Sequence, residues 1–223
     1  MKVTAIITAA GSGLRFGEEK QFKLLCGKPL FLYSLDCFIQ SPLVNEIILV
    51  VPKSSFSLAS SITGKSKRYN KVKMISGGEK RQDSVRNAVM LSEKNSDLIC
   101  IHDAARPFVS SKLIELSIKA CNNADGAIIA VRSVDTIKYS NNDYIEKTLC
   151  RNNIWLAQTP QVFNRNKLIG IYEKLDVSKL DATDESSLME KMGYKIRLIN
   201  NSSVSNFKIT TNNDWKLAES IVR

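Results

Sequence analysis

The chain lacks several features that would define its class at once. It has no run of 18 apolar residues, which argues against a membrane span. It has no C-x-x-C; its five cysteines (Cys26, Cys37, Cys100, Cys121, Cys150) are an odd, scattered set. That spacing argues against a disulfide framework or a zinc site and fits small buried hydrophobes in a reducing cytoplasm. There is a single histidine, His102, and no serine–histidine pairing that would suggest a covalent nucleophile; a lone histidine is expected to be a satisfied structural group. No GKS or GKT follows a glycine loop, so a P-loop NTPase is excluded. Aromatic residues make up 7%, and none interleave with basic clusters in the pattern of a nucleic-acid platform.

What is present is ordinary globular composition: 223 residues, 43% hydrophobic, enough for one α/β domain spanning 1–223. The formal net charge is +10, with no tract of five or six lysines. Nucleic-acid binding, steering of anionic substrates and compositional drift all remain open on charge alone. The N-terminal MKVTAIIT runs straight into glycines and reads as a buried strand rather than a signal peptide.

Near-continuous apolar runs at 3–8, 46–51, 71–76, 97–102 and 126–131 predict strands covered on both faces. Helical patterns alternate with them. PLFLYSLDCFIQ places Phe31, Leu35, Phe38 and Ile39 on one face, with Pro29 in the first turn. SSKLIELSIKAC has Ser110 or Ser111 as a cap, and RQDSVRNAVMLSEK (81–94) shows the same period. The fold class is therefore α/β, a Rossmann-like doubly wound and mostly parallel sheet, with ligands beyond the carboxyl ends of the strands. About 132–150 the pattern changes to an alternating hairpin around SNND, an inserted β-arm able to project onto a partner chain.

TAAGSGLRFGEEKQF (8–22) then needs explaining. The dinucleotide fingerprint G-x-G-x-x-G fails, because Phe16 stands where its third glycine would be and Gly17 comes one residue late. Arg15 and Lys20 beside Gly11 and Gly13 suit a triphosphate that loses pyrophosphate; a surface turn with two solvated cations is the alternative. Asp103, directly after an apolar run and three residues before Arg106, is placed to hold a phosphate-bound Mg²⁺, or to cap a helix after it. Gly77-Gly78 permits close backbone approach, Ser84 could bond a base or ribose, and Lys208 lies in a strand-like FKIT before a final amphipathic helix (Trp215, Ala218, Ile221, Val222).

The series AAGSGLRFG…KQF, GGEKRQDSV, HDAARPFV, DTIK, WLAQTPQVF, TDESSLMEKMG and NFKIT resembles, in order and over nearly the whole chain, the 2-C-methyl-D-erythritol 4-phosphate cytidylyltransferase family. The resemblance implies transfer of CMP from CTP to a methylerythritol phosphate with release of pyrophosphate, in the non-mevalonate isoprenoid route. It also implies Mg²⁺ or another divalent cation, a cytoplasmic homodimer interlocked through β-arms, and neither nucleic acid nor membrane as a partner. By the same resemblance Ala9, Ala10, Gly11, Gly13, Gly78 and Ser84 bind CTP. Arg15, Lys20 and Lys208 are catalytic. Asp103, Arg106, Thr136, Arg151 and Thr183 bind the acceptor, Thr136 and Arg151 from the partner's arm, and Asp103 is the metal residue. The chain has Glu19 where the family usually carries proline, and NNSSVS (200–205) where the family usually carries a glycine. Ribitol 5-phosphate cytidylyltransferases share most of these motifs, but AAG rather than AGG, and Trp155, favour the methylerythritol enzyme.

Overall fold

In the computed structural model, residues 1–14, 16–174, 182–201 and 206–222 are described. The strands are β1 (Val3–Thr8), β2 (Leu24–Leu25), β3 (Lys28–Pro29), β4 (Glu46–Val51), β5 (Val72–Ser76), β6 (Leu98–Asp103), β7 (Gly126–Arg132), β8 (Ile137–Asn141), β9 (Tyr144–Leu149), β10 (Trp155–Asn164) and β11 (Ile196–Asn200). The helices are α1 (Leu30–Gln40), α2 (Phe56–Gly64), α3 (Arg81–Leu91), α4 (Ser111–Ala120), α5 (Arg165–Lys174), α6 (Glu185–Lys191) and α7 (Asn212–Val222).

Seven strands form one sheet in the order β11-β7-β10-β6-β1-β4-β5. β10 runs antiparallel to both of its neighbours, and the other pairings are parallel. The strand period of two divides the core. Ala5, Ile7, Ile47 and Leu49 face Phe31, Leu35 and Phe38 of α1 and Ile114 and Ile118 of α4. Ile6, Ile48, Val50 and Ile101 face Val85 and Val89 of α3, with Leu168, Leu188 and Met189 from α5 and α6. Each fully buried isoleucine or leucine contributes about 1.5–3 kcal/mol, so the two apolar layers fix the sheet between them. Ser110 caps α4 as expected, its hydroxyl accepting from Leu113 N.

The expected hairpin is β8–β9, a separate two-stranded sheet whose turn residues Asn142 and Asp143 have φ of +47° and +68°. Several expectations need correction. FKIT is not a strand: residues 207–210 are irregular, because the backbone there bonds to a loop (Ile209 N to Ala105 O, 2.9 Å) instead of joining a ladder. Cys26 and Cys150 are exposed, on a turn and beside the hairpin, whereas Cys100 and Cys121 are buried. β5 is an edge strand and only half-buried. Ile221 is exposed; α7 packs through Trp215 and Ala218.

The amino ends of the strands are tied by Glu46, which is 6% exposed. Its carboxylate accepts from Thr4 Oγ1 (2.7 Å), Glu93 N (2.9 Å) and Lys73 Nζ (2.7 Å), joining β1, β4, β5 and the segment before β6. Burial raises the pKa of this carboxyl, but the bonds from Glu93, Lys73 and Thr4 outweigh burial and lower it. A lowered folded-state pKa stabilises above the unfolded value of about 4.3, and that stabilisation is lost as pH falls through the folded value. Glu46→Gln should therefore be less stable than wild type at pH 7, and the gap should close toward pH 3. Urea midpoints at the two pH values test this; an equal gap at both would exclude ionised Glu46 as the tie.

Candidate active site

The carboxyl ends of β1 and β6 open onto a cavity of about 440 Å³. Its floor is the loop after β1. Ala9 N donates to Val50 O (2.8 Å), which holds the start of the loop to the sheet. The chain then turns at Gly13, φ +70°, whose carbonyl accepts from Phe16 N and Gly17 N at 2.8 Å. A Cβ on Gly13 would lie 1.8 Å from Glu18 O, so only glycine fits. Gln21 Nε2 donates to Gly11 O (3.0 Å), folding the next turn back over the loop and bringing Lys20 into the cavity wall. Glu19 is directed elsewhere: Ser55 Oγ donates to its carboxylate at 2.5 Å.

Asp103 ends β6 in the middle of the site and is 7% exposed. Its Oδ2 accepts from Lys208 Nζ at 2.8 Å, and its Oδ1 from Thr8 Oγ1 at 3.2 Å. Arg81 Nη2 lies 3.6 Å from Oδ1 and Arg106 Nε 3.8 Å from Oδ2. Burial alone would raise the Asp103 pKa, but Lys208, Arg81 and Arg106 outweigh it and hold the carboxyl far below its usual range. Asp103 is thus a fixed anion among three cations, and the surplus positive charge favours a polyanionic ligand.

A second wall is the Gly77–Ser84 turn. Gly78 N donates to Ser84 Oγ (3.0 Å), and that hydroxyl donates to Lys80 O (3.2 Å). Ser84 thereby pins the turn, and a Cβ on Gly78 would come within 2.5 Å of Asp83 Cβ. Arg81, the first residue of α3, gives Nη1 to both carboxylate oxygens of buried Glu185 (3.0 and 2.9 Å). Burial works against the Arg81 charge, and Glu185 and Asp103 more than restore it.

The QTPQ segment supports the site from beneath. Thr159 Oγ1 accepts from Asp103 N (3.1 Å) and bonds His102 Nδ1 (3.0 Å), while His102 Nε2 bonds Arg106 O (3.2 Å). Burial pushes the His102 pKa down to about 4, so the ring is neutral near pH 7 and is the structural group its sequence context suggests. Asn206 Nδ2 donates to Gln158 Oε1 and Thr159 O, both 2.9 Å, which anchors the segment that carries Lys208.

Of the residues singled out from sequence, Ala9, Ala10, Gly11, Gly13, Lys20, Gly78, Ser84, Asp103 and Lys208 all line this one cavity. Arg15 lies outside the described residues, as do residues 202–205 within NNSSVS. Arg106 is drawn away from the cavity: it is 8% exposed, and its Nη1 donates to Asn206 O (2.9 Å). Thr183 is exposed ahead of α6, and Thr136 and Arg151 sit at the base of the hairpin, where Arg151 Nη1 donates to Val134 O (2.9 Å). None of these three lines the cavity. Sequence reasoning missed Arg81 and Glu185. Their signal was present, since both fall inside motifs, GGEKRQDSV and TDESS, whose pairing only the fold reveals.

Among the described residues no group of three histidine, cysteine, aspartate or glutamate side chains could hold a metal. The carboxylates lining the cavity are Asp103 and exposed Glu79. That donor set fits a hard cation arriving with most of its oxygen ligands on a phosphate chain, and does not fit a metal held by protein alone.

A family model described as 2-C-methyl-D-erythritol 4-phosphate cytidylyltransferase matches residues 3–223. Curated relatives of that name from Syntrophus aciditrophicus and Aquifex aeolicus are each 38% identical. The first alignment covers 100% of this chain and 96% of the relative, the second 98% and 97%. Among solved structures, the 4-diphosphocytidyl-2C-methyl-D-erythritol synthase of Anaerococcus prevotii superposes with a TM-score of 0.87 at 31% identity, over 99% of this chain and 95% of that one. The Francisella tularensis cytidylyltransferase gives 0.80 at 32% identity, over 99% of both chains. A glycine loop, an aspartate locked among cations and a late lysine thus meet in a chain matched from end to end, and the chain belongs to the 2-C-methyl-D-erythritol 4-phosphate cytidylyltransferase family.

Proposed function

We infer that the chain transfers CMP from CTP to 2-C-methyl-D-erythritol 4-phosphate, giving 4-diphosphocytidyl-2-C-methyl-D-erythritol and pyrophosphate. The observation that carries this reading is the convergence of Lys20 and Lys208, from near the two ends of the chain, on the cavity that holds the glycine loop and Asp103. An oxygen of the acceptor's phosphate attacks the α-phosphorus of CTP. One P–O bond forms, the bond to the β,γ-diphosphate breaks, and pyrophosphate departs with the bonding electron pair. The attacking oxygen is already an anion, so no general base is needed, in keeping with a His102 that is sealed and neutral. Catalysis is then alignment plus neutralisation of charge growing on the α-phosphate and the leaving group. The loop amides and Lys20 serve the triphosphate, Lys208 the α-phosphate, and Gly78 and Ser84 shape the wall against the cytidine. Arg15 is assigned to the triphosphate on its place beside the glycine loop and on the family pattern. A divalent cation, Mg²⁺ in the family pattern, would be held by Asp103 and would supply further neutralisation of the phosphate chain.

The acceptor pocket is completed by Thr136 and Arg151 of a second copy, whose hairpin reaches across. Support comes from the hairpin itself. It is a separate two-stranded sheet, Tyr144 and Ile145 near its tip are exposed at 81% and 65%, and isolated hairpins are marginal in water. Five free cysteines support a reducing, cytoplasmic setting for the reaction. No described helix is long and apolar enough to cross a membrane.

Pyrophosphate release from CTP and Mg²⁺ should occur with methylerythritol 4-phosphate and not with ribitol 5-phosphate; preference for the second acceptor would retain the CTP site and discard the acceptor. Lys20→Ala and Lys208→Ala should each lower turnover at least about a hundredfold, the scale of one preorganised charge donor, with circular dichroism unchanged. Near-wild-type turnover would remove that lysine from the mechanism. Tyr144→Asp combined with Ile145→Asp should convert a dimer to monomer in sedimentation and abolish transfer while CTP still binds. A variant that remains dimeric and active would show that the arm is not the interface.

A further inference from the structure

Two guanidiniums approach Asp103, and their side chains are used differently. Arg106 is drawn beneath the floor by Asn206 O. Arg81 lines the cavity. Its Nη1 is spent on both oxygens of Glu185, whereas its Nη2 lies 3.6 Å from Asp103 Oδ1, beyond hydrogen-bonding distance. Glu185 is 1% exposed. A carboxylate so buried is costly unless paired, and the contact of Nη1 with both of its oxygens anchors that end of the Arg81 guanidinium.

We propose that Arg81 is a further catalytic residue, contacting the acceptor's phosphomonoester through Nη2, and that Glu185 is the positioning residue that aims it. The proposal rests on the cytidylyl-transfer reading above. Two observations separate this role from triphosphate binding. The glycine loop and Lys20 enter the cavity from β1 and the turn after it. Arg81 and Glu185 enter from the first residues of α3 and α6, and Glu185 follows Thr183, assigned to the acceptor, by two positions. The nucleophile of the reaction is an oxygen of that same acceptor phosphate. A guanidinium gripping its other oxygens would orient the attacking one toward the α-phosphorus, while Lys208 and Arg81 together offset the repulsion from Asp103.

The test is steady-state pyrophosphate release by the full chain, with CTP and methylerythritol 4-phosphate varied separately. Wild type releasing no pyrophosphate with that acceptor would overturn the function itself. With active wild type, Arg81→Lys should raise KM for the acceptor about tenfold or more, the scale of one charged hydrogen bond, and leave KM for CTP within about twofold of wild type by the same measure. Glu185→Gln should shift the same constant in the same direction, and Glu185→Asp should recover part of the loss. Unchanged constants, or a rise confined to CTP or shared equally with it, would overturn the proposal. If the single variants do not fold, Arg81→Met with Glu185→Gln removes both charges of the pair together. That variant must bind CTP as wild type does and still show the acceptor defect; a normal acceptor KM in it overturns the assignment.

Discussion

Everything at the carboxyl end of the sheet is arranged around one buried anion. Asp103 gains its low pKa from Lys208, Arg81 and Arg106, and each of those cations is positioned partly by Asp103. Desolvating a lone carboxylate costs several kcal/mol, so the cluster is stable only when its members come together. The attraction draws the Lys208 segment and α3 onto the end of β6. It leaves more positive than negative charge facing the cavity, the condition a triphosphate and a phosphomonoester require if they are to approach each other.

The supports for this anion are apolar and polar in turn. Glu46 ties the amino ends of β1, β4 and β5, so the register of the parallel strands delivers Thr8 beside Asp103. At the other end, Phe16 and Trp215 pack at 5.7 Å within a small third core that includes Leu25, Leu30 and Ile209. Phe108 and Phe207, 5.5 Å apart, join the HDAARPF and NFKIT segments beside it. Hydrophobic burial a few residues away from each lysine therefore holds the segments that carry them.

Much of this was legible in the residues. Continuous apolar runs located β1, β4, β6 and β7 because parallel central strands are apolar on both faces. The SNND hairpin announced itself through turn chemistry. β10 gives no such signal, since it runs antiparallel, shifts register between Ala157 and Gln161, and turns Gln158 toward Asn206 and Thr159 toward the end of β6. β11 is an edge strand with little periodicity. The largest difference concerns arginine. Sequence proximity to Asp103 pointed to Arg106, three residues on, while the fold brings Arg81 into the cavity from another motif and turns Arg106 inward. Spacing along a chain reports neighbours within a loop; it carries no information on which of two cations a distant carboxylate will claim.

The Phe16–Trp215 contact has a consequence for synthesis. The glycine loop is made well before its packing partner Trp215 and before Lys208, both of which follow every strand of the sheet. During elongation the sheet can assemble from β1 through β10 while the phosphate loop has nothing to close against. The site therefore comes into being in one late step, when α7 docks. A chain interrupted before that point can hold a nearly complete fold and no competent centre.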